Sequence, residues 1–125
     1  MIDSNMRLLV IDDNKDITDV IKFYCESKNI DCQIANNAAD GFAEIRDNVF
    51  DLILLDVAMP EYSGLELAKN LKNKKMLDDL NIVTFTASSD PKLFEELENI
   101  GIRKILKKPF GIEEFEELIK RYKVC

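Results

Sequence analysis

Five residues of types suited to phosphoryl chemistry stand where apolar runs of this chain end. Asp12 and Asp13 follow Leu8-Leu9-Val10-Ile11, Asp56 follows Leu52-Ile53-Leu54-Leu55, Thr86 follows Ile82-Val83-Thr84-Phe85, and Lys108 lies just beyond Ile105-Leu106. A carboxylate fixed where a buried strand runs out can attack phosphorus and carry the group as an aspartyl phosphate, which is the chemistry Asp56 offers. Lys108 supplies positive charge on the phosphate side, and the Thr86 hydroxyl can donate a hydrogen bond to a phosphoryl oxygen. Three carboxylates gathered at one edge repel. At an effective dielectric near 20 and about 5 Å, each pair costs roughly 3 kcal/mol before screening. A cation must offset this, and hard oxygen ligands without histidine or cysteine select Mg2+. Taken singly, each residue has an ordinary account: a strand-end aspartate caps a helix, and a threonine in a strand reflects β-propensity. The five in order are what single out phosphoryl transfer.

Composition removes competing chemistry. The chain has no histidine, so it holds no Ser-His-Asp or Cys-His nucleophile and forms no phosphohistidine of its own. Any phosphoryl group handled here must come from outside. The cysteines Cys25, Cys32 and Cys125 are odd in number and lack ligand spacing, which argues against zinc and for reduced, partly buried thiols. A net charge of −7 makes nucleic acid and anionic membranes poor partners. Lys69, Lys72, Lys74 and Lys75 fall late in a helical pattern, where they complement the helix dipole. No N-terminal apolar run of signal-peptide or membrane-span length is present, so a cytoplasmic protein is expected. At 125 residues, 46% hydrophobic and 33% charged, the chain reads as one globular domain over residues 1–125.

The elements that must position these residues alternate. Strand-length apolar runs are expected at 7–11, 32–34, 51–55, 81–86 and 102–106, and helical periodicity at 15–27, 38–47, from 63 onward, from 91 and over 112–122. In the first helix Ile17, Val20, Ile21 and Tyr24 share one face, and in the second Ala38, Phe42 and Ile45 form the stripe behind an Asn37 N-cap. Ser63-x-x-Glu66 has the form of a capping box, Asp90-Pro91 opens the fourth helix, and Gly101 stops it. Such alternation specifies a parallel sheet with helices on both faces. The first, third and fourth strands are nearly all apolar and belong in the centre, whereas the second alternates and the fifth carries Arg103 and Lys104, as edges do. The expected fold is therefore α/β, a flavodoxin-like (βα)5 three-layer sandwich with a five-stranded parallel sheet of order 2-1-3-4-5.

Asp12-Asp13, Asp56 with Met59-Pro60 and Gly64, Thr86-Ala87 and Lys108-Pro109-Phe110 together resemble the receiver domains of two-component response regulators, and the resemblance spans essentially the whole chain. It implies a phosphoacceptor signalling module, not an enzyme in the ordinary sense, that catalyses its own phosphorylation and dephosphorylation. Asp56 would be the phosphoacceptor. Mg2+ would be held by Asp13, Asp56 and the backbone carbonyl of Ala58, with Asp12 acting through water. Lys108 would pair with the phosphorylated aspartate, and Thr86 would close onto the phosphoryl group. The implied partners are a sensor histidine kinase or a histidine phosphotransfer domain and a downstream target protein. That target would bind at helix four, strand five and helix five, a face carrying Glu95, Glu96, Glu98, Glu113, Glu116 and Glu117 among Arg103 and Lys104. A stand-alone receiver without an output domain is expected, as a monomer or a phosphorylation-dependent dimer. Three positions depart from the pattern or vary within it: Ile105 stands where the family often has an aromatic whose inward rotation follows the threonine shift, and Ala58 and Ser88 are small where family members tune hydrolysis.

Other readings share parts of the pattern. A haloacid-dehalogenase-type phosphatase also uses a strand-end aspartate, but as Asp-x-Asp on its first strand and with a cap insertion; here Asp12 and Asp13 are adjacent and no segment is long enough for a cap. A flavodoxin-like FMN binder needs a phosphate cradle after the first strand, where this chain has Asp-Asp-Asn-Lys-Asp. A receiver-shaped scaffold that is never phosphorylated would not need every part of the site.

Overall fold

Strand alternation sorts the apolar residues of this chain onto two faces of one sheet. The structure, a computed structural model, describes residues 6–123. Strands β1 (Arg7–Ile11), β2 (Asp31–Ala35), β3 (Leu52–Leu55), β4 (Ile82–Thr86) and β5 (Ile105–Lys107) alternate with helices α1 (Lys15–Ser27), α2 (Ala38–Asp47), α3 (Ser63–Asn73), α4 (Pro91–Ile100) and α5 (Ile112–Tyr122). All pairings are parallel, and the order is β2-β1-β3-β4-β5, as expected. Leu9, Ile11, Ile53 and Leu55 point to one side and pack with Ile45 of α2, Leu67 and Leu71 of α3, and Leu93 and Leu97 of α4. Leu8, Val10, Leu52, Leu54, Val83 and Phe85 point to the other and meet Ile21 and Cys25 of α1 and Phe115, Leu118 and Ile119 of α5. Each such side chain contributes about 1.5–3 kcal/mol on burial, so the central strands anchor whatever their ends carry. Among the described residues, no helix is long and apolar enough to cross a membrane.

Local signals mostly act as read. Asn37 caps α2 by accepting from the Asp40 N–H, Asp90 caps α4 by accepting from the Lys92 N–H, and Gly101 ends α4 at φ 110°. Four expectations are corrected. On α1, Ile17, Ile21 and Tyr24 pack against the core as expected, but Val20 is 66% exposed and its place is taken by Thr18 and Cys25, because the helix turns its Cys25 face onto the cluster containing Cys32 of β2. Both of these thiols are free and buried, and Cys125 lies outside the described residues. Ser63 is not an N-cap: α3 is entered from a 3-10 turn, Pro60–Tyr62, and Ser63 already has helical angles (φ −61°, ψ −29°). The fifth strand is Ile105–Lys107 and not 102–106; Ile102 packs in the core, and only the Lys104 carbonyl joins the ladder ahead of the strand by accepting from the Thr84 N–H. Finally, of the lysines expected late in the third helix, Lys72 does stand in the last turn of α3, where it also donates to the carbonyl of Ile100 at the end of α4, whereas Lys69 lies further back and pairs with Glu96.

Candidate functional site

The sheet ladder continues one residue past three strands, and this fixes the site. The Asp12 N–H donates to the Ala35 carbonyl, the Asp56 N–H to the Ile11 carbonyl, and the Lys108 N–H to the Thr86 carbonyl. Asp12 and Asp56 are therefore held as side-by-side extensions of β1 and β3, whose register pairs Ile11 with Leu55. Thr86 closes β4 opposite Lys107. The sequence-predicted residues Asp12, Asp13, Asp56, Thr86 and Lys108 all reach the carboxyl edge of the sheet, where open α/β folds bind ligands.

Lys108 reaches back between two carboxylates. Its Nζ stands 2.8 Å from Asp12 Oδ2 and 3.2 Å from Asp56 Oδ2, and 4.6 Å from the centre of the Phe85 ring. Asp12 has no exposed surface; its second oxygen accepts from the Asn14 N–H at 3.0 Å, and its backbone carbonyl accepts from Asn36 Nδ2. Asp56, 6% exposed, accepts from the Ala58 N–H at 2.9 Å. Burial is the largest influence on Asp56 and pushes its carboxyl above the ordinary value; the Ala58 N–H and Lys108 oppose the rise, and the Asp12 charge adds to it. Asp13 is exposed beside them. One oxygen from each of Asp12, Asp13 and Asp56 lies within 4.8 Å of the others, a hard, all-oxygen donor set that fits Mg2+.

Thr86 is fully buried, and its Oγ1 accepts from the Ser88 N–H at 3.1 Å. Gly64, part of the sequence pattern, has a steric reason: a Cβ there would collide with the backbone carbonyl oxygen of Asp56 and lie 2.8 Å from the Cα of Val57. The Lys108–Pro109 peptide bond is cis. The expected acidic face is thinned, because Glu96 pairs with Lys69 and Glu116 accepts from the Tyr24 hydroxyl. Glu95 and Glu98 remain beside Arg103 and Ile105, around a shallow cavity of about 260 Å³ that also includes Phe94 and Ile102. Residue-type reasoning missed Asn36 and Phe85 as supports of the site, whereas Asn14, polar and next to the acidic pair, is legible as a cap and does cap α1. The only sequence signal of Asn36 and Phe85 is adjacency to strand ends.

An acidic pocket crossed by a lysine at the carboxyl edge of a 2-1-3-4-5 sheet defines a receiver-type phosphoryl-signalling module. A family model described as response regulator receiver domain matches residues 8–120, and the chain belongs to that family. Similar proteins include the transcriptional regulatory protein CrdR of Helicobacter pylori, 29% identical over 93% of this chain and 54% of that protein. The phosphate regulon transcriptional regulatory protein PhoB of Pseudomonas aeruginosa is 32% identical over 90% of this chain and 49% of that one. The chain thus spans about half the length of these curated relatives. Among solved structures, a CheY-like receiver domain protein from Methanospirillum hungatei superposes with TM-score 0.84 at 28% identity, covering 94% of this chain and 93% of that one. The receiver domain of Francisella response regulator 1452 gives 0.79 at 30%, covering 95% and 100%. Receiver domains bind Mg2+ at an acidic pocket, and Asp12, Asp13 and Asp56 form the corresponding cluster here. The haloacid-dehalogenase alternative finds no support, since both the matched family and the fold neighbours are receivers.

Proposed function

We propose that Asp56 accepts a phosphoryl group from a phosphohistidine of a sensor kinase or histidine phosphotransfer domain. The observation that carries this reading is the position of Asp56, buried and rigid, between Lys108 and the Asp12–Asp13 pair. One carboxylate oxygen attacks phosphorus in line; the O–P bond forms as the N–P bond breaks, and the electron pair returns to the donor imidazole. Lys108 neutralises charge on the phosphoryl oxygens as they approach Asp56, and the Ala58 N–H orients the carboxylate. Asp13, Asp56 and the Ala58 carbonyl would hold Mg2+, with Asp12 in support; the ion, when bound, supplies charge neutralisation for the incoming phosphoryl group. The Thr86 hydroxyl then turns from Ser88 toward the new phosphoryl oxygens.

The donor protein has an apolar place to rest. A cavity of about 590 Å³ beside Lys108 is lined by Ile17, Val20, Ala87, Pro109 and Phe110, which accounts for the exposure of Val20 on α1. The signal leaves through α4, β5 and α5 to a target protein. Incubation with acetyl phosphate and Mg2+ should add one phosphoryl group, and Asp56→Asn should abolish it. Undiminished labelling of that variant would sink the assignment.

A further inference from the structure

We infer that Lys107 is a positioning residue that latches the β4–α4 loop to α4 in the unphosphorylated state, taking over the coupling role that Ile105 leaves vacant. The inference rests on the phosphoacceptor reading of Asp56. Its observations lie outside the site itself. Lys107 Nζ donates to the Ser88 carbonyl at 3.0 Å and to Ser89 Oγ at 3.1 Å, and stands 5.6 Å from the centre of the Phe94 ring on α4. One exposed ammonium thus ties together a loop, a strand and a helix.

The latch connects to the site through a single residue. Ser88 donates its N–H to Thr86 Oγ1, while its own hydroxyl accepts from the Asp90 N–H, and Asp90 caps α4. Thr86 and Lys107 are direct partners across β4 and β5. When the Thr86 hydroxyl is drawn to a phosphoryl oxygen, the Ser88 N–H loses its acceptor, and the loop that Lys107 grips must shift. Lys107 then loses the Ser88 carbonyl and Ser89, and with them its place over Phe94.

Strand geometry explains why this residue can act. Ile105 and Lys107 are two apart, so they project to the same side of β5, toward α4, while Leu106 packs into the opposite core. Phe94 and Ile105 share the cavity between α4 and β5 with Glu95 and Glu98. Releasing Lys107 from Phe94 changes the wall of that cavity without any rotation of an aromatic on β5. A branched aliphatic at 105 cannot report the shift of Thr86; a cation two residues on, bonded to the moving loop, can.

The latch favours the resting conformation, so removing it should help any ligand that selects the other one. The test titrates beryllofluoride with Mg2+ into the full chain and into Lys107→Met and Lys107→Arg, following backbone amide resonances. Losing hydrogen bonds of this kind should tighten the apparent beryllofluoride affinity of Lys107→Met by roughly two- to ten-fold. Without ligand, its Ser88, Ser89 and Phe94 amides should already be displaced toward their positions in the loaded wild type. Lys107→Arg, which keeps the donor, should restore both, while Lys107→Met should lose no more than a few degrees of thermal midpoint. If the wild type binds and Lys107→Met matches it in affinity and unliganded resonances, the latch is overturned while the phosphoacceptor reading stands. If the wild type itself takes up no beryllofluoride, both fall together.

Discussion

Replacing Lys108 with methionine removes the ammonium that bridges two buried carboxylates while keeping an apolar chain over Phe85. The separations of 2.8 and 3.2 Å to Asp12 and Asp56 correspond to about 6 and about 5 kcal/mol of attraction at an effective dielectric near 20. Much of that is offset by the cost of taking the three groups out of water. Removing one partner of a buried pair typically costs about 3–5 kcal/mol, against less than about 1 kcal/mol at the surface. The buried figure applies, because the Lys108 side chain is 12% exposed and that of Asp12 not at all. Urea unfolding in chelator should therefore show a loss of about 3 kcal/mol or more. The same change leaves Asp12, Asp13 and Asp56 with no internal cation, so Lys108→Met should bind Mg2+ more tightly than the wild type by calorimetry. At a hundred times its dissociation constant, Mg2+ returns about 2.7 kcal/mol, which recovers most of the loss. An unchanged unfolding midpoint in chelator, or weaker Mg2+ binding, would refute the reasoning that Lys108 holds this charge cluster together.

Other outcomes follow from single contacts. Gly64→Ala forces a Cβ into the backbone of Asp56 and Val57 and should cost about 1–3 kcal/mol or more, whereas Gly41→Ala meets only the Ile11 side chain, at 2.7 Å, and should cost less; a reversed order in urea midpoints would contradict this. Thr86→Val leaves the Ser88 N–H without its acceptor, losing about 1 kcal/mol. Labelling at Asp56 should survive in this variant, but the amide shifts that follow it should not; intact shifts would remove Thr86 from the switch. Tyr24 is pushed up to about 12 by burial first and then by its hydrogen bond to Glu116. The unfolded chain loses this proton near pH 10 and the folded one near 12, so the contribution is complete below about pH 10 and is lost as pH rises toward 12. Tyr24→Phe should flatten that part of the alkaline decline in unfolding free energy, and an identical decline would disprove the coupling.

Much of this site can be read along the chain because each chemical residue sits where an apolar run stops. Asp12, Asp56 and Thr86 needed only strand ends and parallel pairing to come together, and the cap residues Asn37, Asp90 and Gly101 act through neighbours two to four residues away. Errors arose where local pattern is ambiguous. Helical spacing on α1 places Ile17, Ile21 and Tyr24 on the core but does not say that Val20, at the margin of that stripe, turns outward, and Ser63 resembles a cap although the helical path already begins in the turn at Pro60.

Periodicity and strand ends are properties of short segments, so the fold class, the division into central and edge strands and the five residues at the sheet edge were legible along the chain. The strand order and the sharing of charge between groups belong to the folded molecule. Asp12 and Lys108 are 96 residues apart, and their ion pair exists because β1, β3, β4 and β5 lie in register. The grip of Lys107 on Ser88, Ser89 and Phe94 has the same origin: a hydrogen bond or a ring contact across elements depends on where backbones meet in space, which no local pattern encodes.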